Sequence, residues 1–399
     1  MRACLGLLLK TFGNALPFVH CVRLTALFSA VESLMLGRKL SVTGLGRSLV
    51  TKTRVKDSIK RMDRLVGNAH LHRERHGFYE TVANIVVGMT PRPVIIVDWS
   101  DLSHDRKFQL LRAAVPGGGR ALTVYEEVHT LEDLDNNRIH QRFLMHLKKI
   151  LPPGCCPIVV TDAGFRGPWF KAVAALGWDW VGRVRNRVYV RFEASSEWVL
   201  CNSLHVQATR TARCLGKAML ARTNPVRCAL YLVRRKKQGR VRYTHFAKRA
   251  RSSTSKKSER REREPWLIAT SMAADNHQAE KIIKIYKARM QIEESFRDLK
   301  NQRHGWSIRE SRTNSLERFE ILLLVGLIAT LAVWLIGKAA VLRDAHLDYQ
   351  ANTHQRTPVL SAFFLGCQIC RRDDLVLHFR EFREAISALT NRLESAYAL

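Results

Sequence analysis

Two short apolar runs that each close on an aspartate, Val94-Ile95-Ile96-Val97-Asp98 and Ile158-Val159-Val160-Thr161-Asp162, constrain this chain more than any other feature. A four- or five-residue apolar run that ends on a carboxylate reads as a buried central strand of an α/β sheet. Its acidic side chain is then expected at the C-terminal edge, where such sheets bind their ligands. One aspartate in that position, taken alone, reads more readily as an ordinary turn residue or helix N-cap. Two of them, with an acidic helix much further along, point instead to carboxylates gathered around metal.

That helix is expected from about Asn276 to Lys300. Tyr286, Arg289, Glu293 and Lys300 within it are spaced so that, at about 100° per residue, they occupy an arc of roughly 60°. Ile285, Ile292, Phe296 and Leu299 fill the neighbouring sector, which would bury that side against a sheet and direct the polar stripe to its edge. Glu294 points about 100° away from Glu293 and is the poorer ligand. A solvated helix face held by charge pairs produces a similar pattern.

The run Tyr-Lys-Ala-Arg-Met-Gln-Ile-Glu-Glu-Ser-Phe-Arg-Asp-Leu-Lys, Tyr286 to Lys300, resembles the tyrosine, arginine, glutamate, lysine signature of bacterial DDE transposases. Val97-Asp98-Trp99-Ser100-Asp101 and Thr161-Asp162-Ala163-Gly164-Phe165 resemble the two aspartate blocks of the same enzymes. Three separated blocks match in order, and the signature keeps its spacing. The chain is identified on these residues as similar to the insertion sequence four family. The likeness runs from about Leu24 to Leu335 and is weakest in the first twenty residues, in the basic stretch before Pro265 and towards the C-terminus.

The resemblance implies an α/β protein with a ribonuclease H-like catalytic core, a mixed sheet with flanking helices. A β-rich insertion interrupts the core and a helical DNA-binding domain precedes it. Expected boundaries are 1–75 for the helical domain, 76–185 for the first part of the core, 186–264 for the basic insertion, 265–340 for the second part with the glutamate helix, and 341–399 for a C-terminal helical region. Strands over Phe108–Val115 and Arg120–Val128, joined by Pro116-Gly117-Gly118-Gly119, follow the first aspartate strand. In that fold the strands bearing Asp98 and Asp162 are neighbours.

The chemistry implied is cut-and-paste DNA transposition. Phosphodiester hydrolysis needs an activated water, a neutralised transition state and a stabilised leaving oxygen, which two hard cations can supply. Asp98 would bridge both ions, with Asp162 on one and Glu293 on the other. Mg²⁺ suits carboxylate oxygens, with Mn²⁺ as a substitute. Arg289 and Lys300 would grip phosphates flanking the scissile bond and Tyr286 would hydrogen-bond one of them. The family's cycle runs through a hairpin intermediate and strand transfer. Its partners are double-stranded DNA, both terminal inverted repeats and target, with two protomers in a synaptic complex.

Composition agrees with a polyanion partner: 66 Lys plus Arg against 35 Asp plus Glu give a net charge of +31. Binding dominated by phosphate contacts is strongly salt-dependent. An anionic membrane or ribosomal RNA would suit the same charge. Within Leu24 to Asn68, a short helix near Ser41–Arg47 followed by a basic one, Thr53 to Leu65, suggests a helix-turn-helix reader in which Arg54, Lys56, Lys60 and Arg61 meet DNA. A basic solvated bundle face is the alternative. Arg234 to Arg263, with fourteen Lys or Arg against two Glu, is read as a DNA clamp. Trp266 stands where similar transposases carry a tryptophan that stacks on a flipped base, and simple packing in a strand is its other reading.

Nine scattered cysteines form no disulfide framework, which suits a reducing cytoplasm; the resemblance implies a bacterial, nucleoid-associated protein. Cys367-x-x-Cys370 lacks the second pair a zinc site needs. His70, His72 and His76 lie among Arg73, Glu74 and Arg75 and are expected in a DNA-facing or solvated segment. The uncharged run Ile321 to Ile336 falls short of the roughly twenty residues a bilayer span needs, so a buried core helix is expected and no membrane partner. A nuclease or junction resolvase of the same fold would cut without joining ends. A DNA-binding protein with a dead catalytic domain would show no metal-dependent cleavage.

Overall fold

The apolar run at Val94 forms a strand, β1 (Val94–Asp101), that continues past Asp98. The carboxylate expected at the strand's end therefore sits mid-strand. The reason lies in pairing: β2 (Phe108–Pro116) runs antiparallel to β1 and keeps its register from Ile96↔Ala114 to Asp101↔Gln109. β3 (Ala121–Thr130) pairs with β2 across a glycine turn, giving the order β3-β2-β1.

This computed structural model describes residues 1–236, 252–253, 264–353 and 357–397. Most of the expected DNA clamp over Arg234–Arg263 lies outside them. The chain divides into two units. The first holds Met1–Cys155 and the chain from Met290 through the C-terminal helix; the second holds Cys156–Arg289.

The first unit surrounds the β1–β3 meander with helices α1 (Arg2–Ala15), α2 (Cys21–Gly37), α3 (Val42–Arg47), α4 (Val55–Val66), α5 (Ala69–Val87) and α6 (Asn137–Ile150). Side-chain caps start several of them. Ser41 Oγ accepts from Gly44 N at α3, Asn68 Oδ1 from Leu71 N at α5 and Asn136 Oδ1 from Arg138 N at α6.

The second unit contains β4 (Ile158–Thr161), α7 (Gly167–Ala175) and β5 (Asp179–Val184), a parallel strand pair with its crossover helix. β6 (Tyr189–Phe192), β7 (Val199–Leu200), β8 (Arg213–Leu220) and β9 (Val226–Val233) follow, so this stretch is rich in strands. β10 (Trp266–Thr270) lies antiparallel between β5 and β9. Phe170 of α7 stacks on Trp180 of β5 at 4.1 Å, over the bare backbone of Gly182.

The single helix expected over Asn276–Lys300 is in fact two, α8 (Ala279–Ala288) and α9 (Met290–Lys300), after a 3-10 turn at Asn276–Gln278. At the break the Arg289 amide donates to Tyr286 O, 3.1 Å away, which tightens the last turn of α8. The boundary between the two units falls here as well. Tyr286 and Arg289 thus belong to the second unit, Glu293 and Lys300 to the first.

Ile321 to Ile336 forms the centre of α10 (Leu316–Leu342), capped by Ser315 Oγ accepting from Arg318 N. By length and composition this helix could cross a membrane, yet 94% of its most apolar window is buried. It packs against β3, α1, α2, α4, α5, α11 (Ala362–Arg372) and α12 (Phe379–Tyr397), which is why it is apolar all round. Gly337 and Gly366 let α10 and α11 touch backbone to backbone: a Cβ on Gly366 would lie 1.8 Å from Val333 O.

Candidate active site

Cross-strand register sets the first half of the site. Asp98 pairs with Arg112, and Arg112 with Glu126. Side chains alternate along a strand, so these three share one face of the meander with Ser100, Leu110 and Val128. Helix α9 packs on that face, touching all three strands. Phe296 receives the Arg112 guanidinium at 5.0 Å from its ring centre, and Lys300 Nζ donates to Ser100 Oγ at 2.6 Å. Glu293, in the first turn of α9, is exposed, and Asp98 is half-buried. Asp98 Oδ1 accepts from the Trp99 amide at 2.9 Å.

Buried and half-buried charges on and beside this face are paired. Arg112 and Glu126, both buried, meet at 2.7 Å (Nε to Oε2) and 2.6 Å (Nη2 to Oε2). Burial raises the Glu126 pKa even so, with the Arg112 charge acting against it. Asp101 stands between Lys300, at 3.6 Å, and Arg309, which also bonds it. Burial works to raise the Asp101 pKa, but these two cations outweigh it and the net shift is downward. Burial pushes Lys300 down to about 8, with Asp101 opposing.

In the second unit Asp162 directly follows β4, and its Oδ1 accepts from Gly164 N at 2.8 Å. Tyr286 is buried in α8, and burial raises its phenol. Arg289 and Arg183 act against that shift and the Asp162 charge adds to it. Trp266 is only 8% exposed, its ring edge-on to Tyr286 at 4.9 Å. The Arg235 guanidinium covers its face at 4.2 Å and Arg183 lies 5.9 Å from its centre. Strand packing accounts for Trp266 here, and stacking on a base would require Arg235 to move.

Asp98 and Glu293 therefore share one unit with Lys300, while Asp162 shares the other with Tyr286, Arg289 and Trp266. Among the described residues, neither unit by itself gathers three His, Cys, Asp or Glu side chains able to hold a metal ion. The donors fit a hard cation in kind: carboxylate oxygens, with the Glu293 helix lying on the Asp98 face.

The N-terminal basic residues are carried on and just before α4. α3 meets α4 so closely that a Cβ on Gly46 would sit 2.5 Å from Ile59 Cα. Lys56, Lys60 and Arg61 are exposed on α4, and Arg54, just ahead of it, bonds Asp57 at 3.0 Å. His72 and His76 differ from expectation. His72 Nε2 lies 2.5 Å from Glu320 and His76 Nε2 lies 3.2 Å from the Tyr125 hydroxyl, because their face of α5 turns inward; His70 is exposed. Sequence reasoning also passed over Arg112, Asp101 and Arg309. Arg112 left a signal, as the sole charge in the apolar β2 run.

A family model described as Transposase DDE domain matches residues 89–331, more than half of the chain. The match extends from just before β1 into α10 and includes every candidate residue named above outside the N-terminal helices. No curated protein matches the chain.

Proposed function

Because the chain belongs to the transposase DDE-domain family, we propose that it moves a bacterial insertion sequence of the insertion sequence four family by cut-and-paste transposition. Within that family its motifs resemble those of the transposase of insertion sequence ten. The observation that most supports this reading is the seating of the Glu293 helix on the face of the β1–β3 meander that carries Asp98.

Asp98, Asp162 and Glu293 are the residues that would hold divalent metal, two Mg²⁺ ions or Mn²⁺ in their place. When bound, such a pair supplies an activated water and neutralises charge on the phosphate and the leaving oxygen. Lys300, directed at Ser100 on the Asp98 face, binds a phosphate beside the scissile bond. Arg289 and Tyr286 hold another and fix the in-line geometry. No side-chain nucleophile is needed, and the 3′-hydroxyl freed by the first cut serves in the later steps, through a hairpin, to strand transfer into target DNA. The exposed basic face of α4 reads the terminal inverted repeat, with Lys56, Lys60 and Arg61 against the duplex. Two protomers pair the two ends, in the bacterial cytoplasm.

The test uses a plasmid carrying terminal repeats, with Mg²⁺, and scores nicking and strand transfer. Asp98→Ala, Asp162→Ala and Glu293→Ala each abolish both while gel-shift affinity for the repeat stays near wild type. Substantial cleavage by any of the three refutes the carboxylate assignment. Cleavage without joining by the unaltered protein would make it a nuclease.

A further inference from the structure

Helix α9 carries three distinct faces. Ile292, Ser295, Phe296 and Leu299 are buried towards the strands. At about 100° per residue Glu293 and Lys300 fall on one flank of that buried face, and Gln291, Glu294 and Asp298 on the other. The second flank is fastened to the turn between β2 and β3.

The fastening is made by the turn's backbone and its arginine. Gly117 N donates to Arg120 O at 2.8 Å and closes the turn. Gly118 and Gly119 have φ of +86° and +96°, in the region that favours glycine. Their successive N–H groups both donate to one oxygen, Gln291 Oε1, each at 3.0 Å. Arg120 then bonds Asp298 Oδ2 through Nε at 2.5 Å and approaches Glu294 at 3.6 Å. The first and last turns of α9 are thus tied to one hairpin, on the flank away from Glu293.

We propose that this glycine turn sets the roll and height of α9 over Asp98, which makes Gln291 and Arg120 positioning residues for Glu293. The inference rests on Glu293 acting as a metal-binding carboxylate. A helix anchored on the strands by apolar packing alone can still rotate about its axis, and a small rotation would swing Glu293 across the Asp98 face. The two amides and the guanidinium oppose that rotation from the far flank. Groups that orient a metal ligand typically change metal affinity or activity by about 10- to 100-fold when removed.

The experiment compares Gln291→Met, which keeps length and bulk but loses the acceptor, with Gln291→Glu, whose carboxylate can still accept from both amides. Arg120→Gln serves as a second route to the same flank, and Glu293→Ala as the control for the underlying reading. Nicking of a terminal-repeat plasmid is measured against Mg²⁺ concentration, with DNA affinity and melting temperature measured separately. Expected are a fall in kcat of about 10-fold or more and a higher Mg²⁺ requirement for Gln291→Met and Arg120→Gln, with DNA affinity unchanged. Gln291→Glu should remain close to wild type. Wild-type kcat and metal dependence in Gln291→Met overturn the proposal, as do equal losses in the Met and Glu variants or a loss confined to DNA affinity. Cleavage by Glu293→Ala refutes the role of the glutamate itself, a separate outcome.

Discussion

Lys300 Nζ lies 2.6 Å from Ser100 Oγ and 3.6 Å from Asp101 Oδ1, so the last turn of the glutamate helix is tied to the end of the aspartate strand. These two contacts link the elements that carry Glu293 and Asp98 on the flank opposite the glycine turn. They also keep a cation partly out of water beside Asp101.

Lys300 therefore predicts an alkaline limit to activity. Burial lowers its pKa to about 8, against an ordinary 10.5. As pH rises through 8 the ammonium is lost and phosphate binding weakens. The profile of kcat/KM reports groups of the free enzyme, so it should fall above pH 8 in the wild type. Lys300→Arg, whose guanidinium stays charged, should retain a flat alkaline limb at lower overall activity. Identical limbs in the two proteins would count against Lys300 as the titrating group.

The Arg112–Glu126 pair predicts an asymmetric pair of stability losses. Arg112→Met leaves the Glu126 carboxylate buried without its partner, which typically costs about 3–5 kcal/mol. Adding Glu126→Gln removes the stranded charge and should recover a large part of that loss. Urea unfolding of the two variants and the wild type measures both steps. Additive losses would mean that the pair contributes little beyond packing.

Gly366 predicts a steric limit on the core. Its backbone meets that of Val333 across the α10–α11 crossing, and neither wall is a flexible side chain. Gly366→Ala must separate the two helices and should destabilise the first unit by about 1–3 kcal/mol, despite the better helix propensity of alanine. A melting temperature equal to or above wild type would show that the crossing can relax.

How much of this could be read from the chain depends on how local each cause is. Apolar runs and helical spacing are properties of neighbouring residues, so β1, β4 and the helix around Glu293 were legible, with Asp98, Asp162 and Glu293 singled out. Where a strand stops is decided by its partner: β2 stays in register to Gln109 and leaves Asp98 mid-strand. The break at Arg289 likewise follows no glycine or proline and coincides with a division between units. His72 and His76 looked solvated beside arginines because Glu320 and Tyr125, their partners, lie 248 and 49 residues away.

Two inward-facing histidines, His140 of α6 and His76 of α5, carry the last prediction, on acid stability. His140 Nε2 accepts from Trp99 Nε1 at 3.0 Å on the reverse face of β1, and burial, with the nearby His129, lowers its pKa to about 4 from 6.5. Burial lowers His76 to about 4 as well; Arg75, His146 and His72 add to the shift and Glu127 opposes it. Between pH 6.5 and 4 the unfolded chain binds these protons and the folded chain does not. Their contribution to stability is therefore complete above pH 6.5 and is lost as pH falls through 4. Asp298, raised to about 6 by burial, acts in the opposite sense, its contribution being present below 3.8 and lost as pH rises through 6. A difference between two proteins isolates the histidine. His140→Gln keeps an acceptor for Trp99 and cannot be protonated, so it should lose less stability than wild type between pH 7 and pH 4.5, by on the order of 2 kcal/mol. Urea midpoints that shift in parallel for both proteins across that range would show that His140 is not the group responsible.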